Sequence, residues 1–99
     1  MTMDLKSAIN ILKSHRDALR EKGVVSMSII GSVARGESTP QSDIDIVARI
    51  ENETFSVLDR AQLVIDLEDW LGADVDFVRE PTSKPYLQAE IDRDRILAF

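Results

Sequence analysis

The chain has 99 residues, 18 acidic and 12 basic, for a net charge of −6. That length supports one small core, and the acidic balance argues against a stand-alone nucleic-acid binder. Cysteine is absent, which excludes a disulfide framework or a thiolate metal site. No apolar run approaches the ~18 residues of a membrane span, and Met1-Thr2-Met3-Asp4 is no signal peptide. The expectation is a single domain over residues 1–99 of a cytoplasmic protein.

In chain order, Leu5, Ala8, Ile9, Leu12 and Leu19 recur at helical spacing and predict a helix from about Asp4 to Glu21, with Gly23 as its stop. The sole histidine, His15, lies between Ser14 and Arg16 and reads as a solvated helix residue without a role. Val24–Ile30 is nearly continuous in apolar character and predicts a strand buried on both faces. Gly31-Ser32 turns it into a short helical segment ending near Arg35 or Gly36. Glu37–Ser42, with Pro40, reads as a surface loop.

Asp43–Ile50 predicts a second strand, and Thr54 or Phe55 to Leu71 a long helix closed by Gly72. On that helix Val57, Leu58, Ala61, Val64, Ile65 and Leu71 make one broad apolar face, read as facing the core. Leu63, Leu67 and Trp70 extend the apolar surface further. Either the helix is sandwiched between the sheet and another helix, or this Trp70 flank is a protein-docking surface. Ala73–Val78 predicts a third strand, Pro85 to about Arg93 a last helix, and Ile96–Phe99 a short edge strand or a frayed end.

Chemistry concentrates in two stretches, Gly31-Ser32-Val33-Ala34-Arg35-Gly36-Glu37 and Ser42-Asp43-Ile44-Asp45-Ile46. Alternation in a strand sets Asp43 and Asp45 side by side and sends Ile44 and Ile46 to the opposite face. Paired carboxylates repel unless a cation or proton lies between them, and Mg²⁺ suits an all-oxygen site shared with phosphates. Gly31 lets the backbone approach an anion, and Ser32 adds a hydroxyl. For the glycine turn to meet the carboxylates, the first two strands must run antiparallel. Gly31 and Gly36 also have P-loop spacing, but Glu37 stands where that motif needs its lysine and would repel phosphate.

Gly31-Ser32, ten intervening residues and Asp43-x-Asp45 resemble the signature of the DNA polymerase beta-like nucleotidyltransferases, with wording closest to the minimal nucleotidyltransferase (MNT) branch. The resemblance implies an α/β fold with a small mixed sheet of three or four strands flanked by helices. It also calls for a third carboxylate on a later strand, offered by Asp76, with Asp74 as the neighbouring choice. It implies that Asp43, Asp45 and Asp76 are catalytic and hold two Mg²⁺ ions. Gly31, Ser32 and Arg35 would bind the phosphates of ATP, while Glu37 serves a salt bridge or a loop-fixing hydrogen bond.

The activity implied is transfer of a nucleoside monophosphate, AMP by preference, from NTP to a hydroxyl. Minimal members of this branch are commonly antitoxins paired with a HEPN-domain ribonuclease toxin, whose tyrosine they adenylylate in a hetero-oligomer. The competing reading is an antitoxin that neutralises by binding alone. A drug-modifying transferase completed by a partner chain is third.

Overall fold

The computed structural model describes residues 4–37, 39 and 43–99. The elements in order are α1 (Leu5–Ser14), α2 (Arg16–Glu21), β1 (Val24–Ile30), α3 (Gly31–Ala34), β2 (Ile44–Ile50), α4 (Val57–Leu71), β3 (Val75–Glu80), α5 (Pro85–Asp94) and β4 (Ile96–Leu97). Most of the expected Glu37–Ser42 loop, Pro40 and Ser42 included, lies outside the described residues. Among the described residues, no helix is long and apolar enough to cross a membrane.

The four strands form one mixed sheet in the order β3-β2-β1-β4. The hairpin-like pair β1/β2 is antiparallel, as the expected meeting of Gly31 and Asp43 requires, and β2/β3 is parallel. The parallel pair needs a crossover, which α4 supplies. Ile96–Leu97 is indeed an edge strand, held antiparallel against Ser28 and Ile29. Met27, Ile29, Ile46 and Ala48 from the sheet are buried with Leu12 and Leu19 of the first helices and Leu63 and Leu67 of α4.

The single helix expected over Asp4–Glu21 is two helices that break at His15. Asp4 caps the first by accepting a 2.7 Å bond from the Ser7 amide. His15, expected to be merely solvated, is half-buried and stacks on the Trp70 ring, with centroids 3.7 Å apart and planes 3° from parallel.

The facing of α4 also differs from the expectation. Leu63, Leu67 and Leu71 are the buried stripe and Trp70 packs against the same core, so this flank is no free docking surface. Val57, Leu58 and Ile65 are 81%, 80% and 57% exposed instead. At about 100° per residue Leu58 and Ile65 fall opposite the buried stripe. Apolar residues occur almost all round this helix, so periodicity left its rotation open. Polar contacts lie beside the buried stripe. Arg60 donates to the Phe77 carbonyl at 2.8 Å, Glu68 accepts from the Val75 amide at 3.1 Å, and Asp66 pairs with Lys22 at 3.2 Å. A Ser56–Asp59 capping box starts the helix, and Gly72 ends it at φ 64°.

Candidate functional site

The candidate site lies where β1 ends and β2 and β3 begin. Ile30 pairs with Asp45, so the chain leaves β1 into the glycine turn beside that carboxylate. Gly31 adopts φ +73°, and a Cβ there would overlap the Asp45 Oδ2. Only glycine satisfies both the backbone angle and the space. Val33 anchors the four-residue α3 in the core, while Ser32 is half-buried and its carbonyl accepts from the Glu37 amide at 2.8 Å.

On the other side of β2, Asp45 pairs in parallel register with Asp76. The register thus brings Asp76, and not Asp74, level with Asp45. Asp74 lies ahead of β3, where its carbonyl accepts from the Ile44 amide at 2.9 Å. Asp43 is exposed and immediately precedes β2. Burial first, then the negative charges of Asp76 and Asp43, hold the Asp45 carboxyl above its ordinary value of 3.8; the positive charge of Arg35 works against them.

This cluster carries more negative charge than it can settle among its own groups, and a divalent cation would relieve it. The donor types fit Mg²⁺, which prefers carboxylate oxygens and leaves several positions to water and phosphate. Among the described residues, no three His, Cys, Asp or Glu side chains close up as a cage for an ion.

Arg35 closes α3 and is half-exposed. Its Nε lies 3.0 Å from Glu37 Oε2, and its Nη1 3.6 Å from Asp94 Oδ2. Glu37 thus takes the salt-bridge role expected for it. Asp94 carried no motif, and sequence reasoning missed it. The available signal was a carboxylate ending a helix, where the macrodipole disfavours negative charge.

A family model described as "Nucleotidyltransferase domain" matches residues 12–98. The chain is 34% identical over 93 residues to protein adenylyltransferase MntA of Thermococcus cleftensis, covering 93% of each. It superposes with a TM-score of 0.80, at 35% identity and 95% coverage of both chains, on a solved structure provisionally described as a minimal nucleotidyltransferase. A chain from the complex of tri-AMPylated Shewanella oneidensis HEPN toxin with MNT antitoxin superposes at 0.67. It is 19% identical, with 93% of this chain and 71% of that one covered, a likeness of fold.

Proposed function

Since this chain belongs to the nucleotidyltransferase family, in its minimal branch, we propose that it moves AMP from ATP to a tyrosine hydroxyl of a partner HEPN ribonuclease toxin and acts as that toxin's antitoxin. The observation that carries the reading is Asp45, set between Gly31, the first residue past β1, and Asp76 on β3. The adenylyltransferase name of the Thermococcus relative and the AMPylated HEPN toxin of the Shewanella complex support the nucleotide and the acceptor.

In this reading residues 1–99 work as one domain within a hetero-oligomer. Asp43, Asp45 and Asp76 would hold Mg²⁺, two ions with the substrate in place, which would supply charge neutralisation for the triphosphate and a lowered pKa for the attacking hydroxyl. Gly31 and Ser32 receive the β- and γ-phosphates, the glycine by letting the backbone approach closely. Asp76 takes up the proton as the acceptor oxygen bonds to the α-phosphorus and the bond to the β-phosphate oxygen breaks. Arg35 balances charge on the departing pyrophosphate.

The test uses the full chain with a HEPN protein encoded beside it and α-labelled ATP. Label should appear on a tyrosine of the partner in wild type and vanish in the Asp43→Asn, Asp45→Asn double variant. A double variant that still silences the ribonuclease fully, with no label transferred by wild type, would establish neutralisation by binding alone.

A further inference from the structure

The end of α5 reaches the candidate site through the shortest strand of the sheet. Ile96 pairs with Ile29 in the antiparallel β1/β4 ladder. Continuing that register sets Asp94 level with Gly31, the residue that opens the phosphate turn. The position is anchored from behind. Arg95 is hydrogen-bonded to Glu80, a carboxylate only 3% exposed at the end of β3, and Gln88 of α5 donates to the same oxygen at 3.0 Å. The Arg95 amide also closes α5 by donating to the Ile91 carbonyl at 2.9 Å.

So fixed, Asp94 is mostly buried and directs Oδ2 at the Arg35 guanidinium. Two features set this pair apart from an ordinary surface contact. Asp94 is the last residue of α5, where an anion opposes the helix dipole, so local helix energetics disfavour it. Glu37, the other carboxylate on Arg35, lies two residues along the same loop and is largely exposed. Asp94 comes instead from a distant, braced element. A guanidinium held at two of its nitrogens by carboxylates from different elements loses much of its rotational freedom before any ligand arrives.

We propose that Asp94 is a positioning residue that holds the Arg35 guanidinium at the mouth of the site, ready for the triphosphate of ATP. The proposal rests on the reading of Gly31, Ser32 and Arg35 as the phosphate-binding segment. It makes the C-terminal strand part of the nucleotide site without direct contact with substrate. Asp94 acts on binding through the pre-orientation of Arg35, so its loss should appear in affinity more than in the chemical step.

Isothermal calorimetry of Mg·ATP binding to the full chain tests this, with thermal melting to verify each fold. Asp94→Asn should weaken binding about fivefold, and Asp94→Glu should recover part of the loss. In an Arg35→Ala background, Asp94→Asn should have no further effect, because the two act as a unit. Transfer assays should show the loss in KM, with kcat changed less. Unchanged or tighter binding in Asp94→Asn overturns the proposal, as does an equal loss in the Arg35→Ala background. Wild type that binds no Mg·ATP overturns the nucleotide-site reading itself, and the proposal with it.

Discussion

Gly31 and Asp45 occupy one space: the hydrogen that stands for a side chain on Gly31 is what leaves room for the Asp45 carboxylate. Gly31→Ala therefore meets two penalties, a clash and a φ of +73°. We expect a loss of ~2 kcal/mol or more in stability together with loss of Mg·ATP binding. Adding Asp45→Ala removes the clash alone. The double variant should regain part of the melting temperature but none of the binding. Equal melting for the single and double variants would mean that the backbone angle carries the whole cost.

Asp45 also sets a pH dependence. Its carboxyl is held above 3.8 by burial, then by Asp76 and Asp43, so the folded chain holds this proton more tightly than the unfolded chain does. The destabilisation is absent below 3.8, grows as pH rises through the elevated value, and is constant above it. Asp45→Asn should erase that decline and be the more stable protein at neutral pH. Because Asp45 is partly solvated, we expect a gain below about 1 kcal/mol. Denaturant titrations across pH 3 to 8 would show it, and a variant less stable than wild type at pH 7 would contradict the repulsion argument.

Trp70 joins α4 to the junction of α1 and α2 through its stack on His15. Trp70→Ala should lower stability by about 2–3 kcal/mol, below the cost for a fully buried aromatic. His15→Ala should cost about 0.5–1.5 kcal/mol, and the double variant should cost less than the sum. Additive losses in thermal or denaturant melts would show that the stack contributes nothing beyond burial.

The Glu80–Arg95 pair should be far costlier to break than to replace. Arg95→Met leaves the Glu80 carboxylate buried without its cation, and should cost ~3 kcal/mol. Glu80→Gln combined with Arg95→Met removes the stranded charge and should recover most of that loss. A double variant as unstable as Arg95→Met would mean that the geometry at the α5 terminus, and not charge, carries the effect.

Much of this was legible in the residues, and for stated reasons. β1, its antiparallel partner and the Gly31 turn were readable because chemistry constrained them. A glycine turn and two carboxylates that must meet leave one orientation for the pair. Gly72 marks the end of α4 through cap chemistry that is local in sequence, whereas the start expected at Thr54 or Phe55 falls at Val57, behind the Ser56–Asp59 capping box. What pattern could not supply was the rotation of α4. Leu63 and Leu67 face inward and Leu58 and Ile65 outward, an orientation in which Arg60, Asp66 and Glu68 find partners on β3 and at Lys22. Those partners are distant in sequence, and periodicity carries no record of them. Asp94 was hidden for the same reason, since only the β1/β4 register brings it to Arg35.

The mixed pairing of β2 also divides the assembly of the site in time. Asp45 meets Gly31 through an antiparallel neighbour close in sequence, whereas it meets Asp76 only after α4 has crossed over and β3 has docked. Short-range pairs close early and long-range parallel pairs late, because loop-closure entropy must be overcome first. Asp76 is thus brought beside Asp45 late, against a core already partly buried. Relief of their repulsion should act after the rate-limiting barrier: Asp76→Asn is expected to slow unfolding while leaving the refolding rate nearly unchanged.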